Sequence, residues 1–314
     1  LIVNTNHESS ISRNRARPQP RARLRLAATL LAGWAVAGAA ESPSCTRAAG
    51  TPVLEKPLKT LGTASAALEL AAIPDHLYLI EVDEHDNDAR VEILDTKNEV
   101  LARADHPERR SGTRRAVIAS DSPSLTVRVT GKEHAGISGT AIVRAFDLSA
   151  PGARTDCIAI ARALAGADSD YASGEAITTG HTGPGAESAH QAFVRAAEGY
   201  LAAERALTAP ADRALRGETA LALAGVEYFD LQDWNKTAQW AQAAAALLGS
   251  EDEYRRARAE ALLAAAWLEI GSTASKAGGH EVSSTGLYAR ARSLLRRLSR
   301  FHLQRGERYD AAIQ

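Results

Sequence analysis

The apolar residues of this chain change their spacing once, close to Pro151-Gly152. Between residues 66 and 148 they recur at every second position. Beyond residue 156 they fall at helical spacing in segments dominated by alanine, with few β-branched side chains. A period of two buries one face of a strand, a period near 3.6 buries one stripe of a helix, and neither pattern settles in the other conformation. The chain is therefore expected to be an α+β multidomain protein, an antiparallel β-sandwich followed by an α-helical region. The expected boundaries are an N-terminal segment over 1–45, a linker over 46–65, a sandwich over 66–150 and a helical domain over 151–314.

In the first region Tyr78, Ile80 and Val82 alternate with Leu79, Glu81 and Asp83. Leu125, Val127 and Val129 alternate with Thr126, Arg128 and Thr130. Seven strands are expected, over 67–73, 77–83, 89–95, 98–104, 114–120, 124–130 and 139–147. Turn residues such as Pro74-Asp75, Lys97-Asn98 and Ser122-Pro123 punctuate them. Many short strands at regular spacing specify a sandwich or barrel. The loop from Asp83 to Asp88 is rich in oxygen ligands, and Asp83, Asp86 and Asp88 are the candidate ligands for a hard cation such as calcium. The spacing is not that of an EF-hand, and a solvated acidic turn is the plainer alternative.

Six helices are expected, over 156–173, 187–207, 211–230, 234–248, 251–271 and 285–304. Gly/Ser/Thr-rich breaks lie at 173–188 and 271–286, and Ser250 with Glu253 has the spacing of a capping box. The segment from Gly225 to Trp234 resembles the turn of a tetratricopeptide repeat. Gly225 takes its small position, Tyr228 the aromatic one turn later, Asp233-Trp234 the step that opens the second helix, and Ala244 a later small position. Thr237 stands where that family has alanine. Tyr309 and Ala312 fit the beginning of a second copy. Helical repeats of this kind are expected to bind a protein or peptide partner. Arg290, Arg292, Arg296, Arg297, Arg300, Arg305 and Arg308 form a basic run, but Leu287, Ala291, Leu294, Leu295 and Leu298 thread an apolar stripe through the same helix. A solvated face of an amphipathic helix accounts for that run, and binding to an anionic surface is the alternative.

The first 45 residues read as an address. Arg21, Arg23 and Arg25 precede an apolar run from Leu26 to Ala40 that ends in small residues, the three parts of a secretory signal peptide. Export would place the protein in the periplasm or outside the cell, with membrane contact only in transit. It would also permit Cys45 and Cys157, the two cysteines, to pair. That bridge would close a loop of about 110 residues and stabilise by about 4 kcal/mol. Alternatively, Cys45 could carry a lipid, and Cys157 could be a small buried residue. The sequence contains no methionine. With a half-repeat at its end, it is expected to be a fragment of a longer protein.

Composition narrows the function classes. With 37 basic and 38 acidic side chains the chain is no polyelectrolyte, so nucleic acid is not an expected partner. Phosphate loops, a G-x-S-x-G elbow, an H-E-x-x-H pair and any triad spacing are all missing. A non-catalytic segment without a cofactor is expected, calcium excepted. The runs Leu77–Val82, Asp88–Asp95 and Leu125–Val129 resemble the bacterial pre-peptidase C-terminal domain, a small secreted jelly-roll. Taken together, leader, sandwich and helices resemble the front part of exported bacterial proteins that end in a CHAT domain, a caspase-like peptidase fold. The residues that carry this are Glu81–Asp88, Gly225–Trp234, Arg297–Leu303 and Arg305–Ala312. The resemblance implies a scaffold ahead of a peptidase-like domain whose His and Cys have no counterpart here. The alternative function is part of a secreted hydrolase whose sandwich binds glycan or calcium.

Overall fold

The computed structural model describes Cys45 and residues 51–61, 63–85, 88–107, 111–132, 138–151, 153–180, 188–276 and 281–304. Among them are eight strands: β1 (Leu54–Leu61), β2 (Ser65–Ala71), β3 (His76–His85), β4 (Ala89–Leu94), β5 (Val100–Ala104), β6 (Ser111–Ser120), β7 (Ser124–Gly131) and β8 (Ser138–Asp147). They form two four-stranded sheets in the orders β1-β8-β3-β6 and β2-β7-β4-β5. All pairings are antiparallel. This is the strand order of a double-sheet jelly roll.

The alternating residues do what their period requires. Tyr78, Ile80, Val82, Ala116, Ile118, Ala141, Val143 and Ala145 from one sheet meet Leu70, Val91, Ile93, Leu125, Val127 and Val129 from the other in one buried core. Between β4 and β5 the Asp95 carboxylate accepts the Lys97 and Glu99 amides at 2.8 Å each. Asn98 takes a positive φ of 63° there, a conformation asparagine tolerates.

The eighth strand lies in the segment expected to be a linker. β1 pairs along its whole length with β8 at the edge of its sheet. Its sequence, Leu54-Glu55-Lys56-Pro57-Leu58-Lys59, hides the alternation because only Leu54 and Leu58 lean on the core. Pro57 lacks an amide to donate, which an edge strand accommodates and a central one does not.

The helices are α1 (Thr155–Thr178), α2 (Ala189–Ala206), α3 (Arg213–Phe229), α4 (Trp234–Leu247), α5 (Glu253–Lys276) and α6 (Glu281–Gln304). Each packs on the next in sequence, and α3 also meets α5. α1 and α5 run several residues past the expected breaks. The glycines there are close-approach positions rather than stops: a Cβ on Gly174 would lie 2.5 Å from the Phe193 ring of α2. Capping also differs from expectation. At the start of α5 the Asp252 carboxylate accepts the Arg255 amide at 3.2 Å, in the role assigned to Ser250. A complete capping box instead opens α2, where Ser188 and Gln191 serve each other's backbone.

α1 joins the two halves. Its Ile158 and Ala161 pack on Leu77, Leu79, Val117, Phe146 and Leu148, the outer face of the first sheet. It also lies along β5 and β6, the strands that end the two sheets on one side of the sandwich.

Candidate functional site

The alternation on β3 and β6 ends in charge at one end of the sandwich. The inward series Tyr78, Ile80, Val82 continues to Glu84, and the series Ile118, Ala116 continues to Arg114, which pairs across from Val82. Arg114 is fully buried and Glu84 is 2% exposed. The Arg114 guanidinium lies 2.7 Å from Glu84 Oε2, 3.0 Å from Asp88 Oδ1 and 3.7 Å from Asp105 Oδ1. Lys132 adds a second cation against Asp105, with Asp88 at 3.8 Å and Glu175 of α1 at 3.7 Å.

The next residue, Arg115, points to the opposite face, as the pleat requires. It meets Glu81 at 3.2 Å and Glu218 of α3 at 3.1 Å. Arg255 of α5 meets the same Glu218 and Asp83 of β3, each at 2.9 Å. Charges thus alternate along Glu81, Arg115, Glu218, Arg255 and Asp83, from the sheet through two helices and back.

Asp168 of α1 ties these groups to the sheet edges. Its Oδ2 accepts the Arg115 amide at 2.5 Å, and its backbone carbonyl accepts the Asp105 amide at 3.2 Å. Its Oδ1 accepts the Tyr200 hydroxyl of α2 at 2.5 Å. One residue therefore satisfies an amide of β6 and the amide just past the end of β5, at sheet edges that otherwise invite pairing with another chain. His106 packs its ring edge-on to Tyr200 at 5.9 Å. The next residue, Pro107, fills the space over Gly225 of α3, where a Cβ would lie 2.9 Å away.

Burial sets the protonation of these groups. It raises Glu84 to about 8, against the pull of Arg114. It raises Asp88 to about 6, against Lys132 and Arg114. It raises Asp168 to about 7, against Arg115. His106 is pushed well below its ordinary value by burial and by Arg114, Arg115 and Arg255, which keeps its ring neutral. The Tyr200 hydroxyl is pushed up by burial and by Asp168, so it stays a donor. Arg114 and Arg115 keep their charge because their carboxylate neighbours outweigh burial. The alternating charges through Arg115 and Arg255 clamp the first sheet to α3 and α5.

Asp83 and Asp88, expected as cation ligands, are thus directed at guanidinium and ammonium groups. Asp83 belongs to the helix-facing chain of charges and Asp88 to the Arg114 cluster. Asp86 lies outside the described residues, as do Tyr309 and Ala312. Among the described residues, one group of three potential ligand atoms is close enough to share an ion: Cys45, Asp156 and Cys157. Its two sulfurs are joined in a disulfide. Cys45 is further held by its amide, which donates to Asp212 Oδ1 at 2.6 Å. The bridge is compatible with export. No described helix is long and apolar enough to cross a membrane.

The motif residues of the helical region lie together at the α3–α4 connection. The Tyr228 ring contacts Phe229 at 5.0 Å and Trp234 at 5.3 Å, both edge-on. Asp233 caps α4 by accepting the Lys236 amide at 3.1 Å. Ala244 is fully buried, and so is Thr237, whose hydroxyl donates to the Asp233 carbonyl at 2.8 Å. That bond lets threonine occupy a position where alanine was expected.

Comparison with protein-family models and with curated proteins found no match to this chain. The charged clamp was not anticipated from the sequence. Its one local signal was Glu84 and Arg114 standing where the alternation calls for apolar residues.

Proposed function

We propose that this chain is an exported, non-catalytic binding and scaffolding module. Its helices would recognise a protein or peptide partner in the manner of tetratricopeptide repeats, ahead of a CHAT peptidase-like domain in the same protein. The observation that carries this reading is the consecutive packing of α1 to α6. Stacked helices of this kind bury one face on their neighbours and leave another for a partner. The charged clamp supports it, because it fixes the helices to the sandwich as a platform. The Cys45–Cys157 bridge supports export.

Chemical crosslinking of the full chain with envelope proteins tests the reading. A captured protein whose crosslinks map to α2–α6 is the expected result. Crosslinks confined to the sandwich, or capture of no protein, would reject the helices as the binding element. Fractionation is expected to recover the chain outside the cytoplasm with its cysteines oxidised, and a cytoplasmic reduced pool would reject export.

A further inference from the structure

α5 and α6 enclose two grooves of similar size but different charge. One, of about 360 Å³, is bordered by Glu253, Glu260, Arg256 and Arg297, and Arg297 pairs with Glu260 at 2.9 Å. Its charges balance. The other, of about 350 Å³, has Leu268, Tyr288 and Leu295 as its apolar lining and Arg292, Arg296 and Ser299 as its polar one. Among the described residues its lining holds no acidic side chain. Arg292 and Arg296 are exposed and make no ion pair among the described residues. Two like charges four residues apart on a helix repel each other, so the pair is a standing cost that an anion would relieve. Tyr288 is positioned by Gly271 of α5, where a Cβ would lie 3.2 Å from the ring. The volume lies within the range of ligand pockets. Its described lining comes from two packed helices that form a trough, which suits a chain segment laid along it better than an engulfed small molecule.

The geometry points to this groove as the docking site for an acidic peptide segment of a partner protein. One apolar side chain of the segment enters between Leu268, Tyr288 and Leu295, and its flanking carboxylates meet Arg292 and Arg296. Guanidinium–carboxylate pairs of this type are the stronger class of hydrogen bond. The inference rests on the reading that the helices bind a protein partner, and it adds where and by what chemistry.

The test uses the full chain and a fluorescein-labelled peptide of alternating glutamate and leucine, followed by anisotropy at low and at physiological salt. The double variant Arg292→Glu/Arg296→Glu is expected to weaken binding at least about tenfold, and Tyr288→Ala severalfold. Lys56→Glu/Lys59→Glu makes the same change of net charge at exposed positions on β1 and is expected to leave binding unchanged. Circular dichroism checks that each variant is folded. Equal loss in both double variants would reduce the effect to net charge and overturn the proposal. So would no binding of the peptide, or binding of vesicles containing anionic phospholipid in its place. If a crosslinked envelope protein is captured on the helices but is indifferent to Arg292→Glu/Arg296→Glu, this groove fails while the scaffold reading stands. If the peptide binds through the two arginines but no protein is captured, the groove keeps its preference for acidic peptide while the scaffold reading fails.

Discussion

Glu84, Asp88 and Asp168 hold their protons more tightly in the folded protein than in the unfolded chain. Raising the pH through their folded values therefore costs the native state more than the unfolded one, and stability falls. His106 acts in the opposite sense, because it stays neutral when folded and gains a proton on unfolding below about 6.5. Three carboxyls outnumber the one imidazole in acid, and above neutrality the fall is unopposed and continues until Asp168 and then Glu84 have ionised at about 7 and about 8. Denaturant unfolding between pH 6.5 and 8.5 should show a loss on the order of 2 kcal/mol. Glu84→Gln reproduces the neutral side chain and should flatten that decline. A stability that rises with pH over this window would refute the account. Glycine at 174 gives a second prediction at this scale. Gly174→Ala drives a methyl into the Phe193 ring and should cost about 1–3 kcal/mol in the same measurement.

Single elements depend on local devices that can be removed without touching the core. Ser188→Ala deletes the side-chain half of the capping box at the start of α2, leaving the residue-188 amide to donate to Gln191, and should cost about 1 kcal/mol. Its thermal midpoint should drop by a few degrees, and hydrogen exchange should quicken first at the α2 amino end. An unchanged exchange pattern would mean that packing on α1 alone sets that end. Helix α1 shows how an element's length depends on its neighbours. Its Ser173-Gly174 pair has the composition of a break, yet the helix continues to Thr178 because Phe193 fills the space left by the missing Cβ. The spacing of apolar residues located every helix to within a few residues. The ends were decided by partners distant in sequence.

Across the whole molecule, the sandwich and the helices should unfold together. The junction is made by buried charges whose removal one at a time leaves an uncompensated partner, at about 3–5 kcal/mol for each such loss. Arg115→Met should therefore destabilise by roughly that amount, and should split a single calorimetric transition into two as Glu81 and Glu218 lose their shared cation. A single transition at the wild-type temperature would refute the clamp. Reducing the Cys45–Cys157 bridge opens a loop with a sequence separation of 112. By the chain-entropy model it should lower stability by about 4–5 kcal/mol, measurable as a drop in denaturant midpoint.

The sequence by itself determined the kind of each region, because hydrophobic period is a local property: two for the sheets, near 3.6 for the helices, with the change at Pro151-Gly152. It also located the turn at Gly225–Trp234 and named the two cysteines as a potential pair. The edge strand β1 escaped it, since a strand with one neighbour and a half-buried face needs little alternation. So did the charged clamp. Whether Arg114 is a solvated side chain or the centre of a buried cluster depends on Glu84, Asp88 and Asp105 converging on it. Whether Asp168 is a surface acid or a stitch between sheet edges depends on α1 lying against both. Only the tertiary structure decides those questions, because burial and charge pairing are set by residues far apart along the chain.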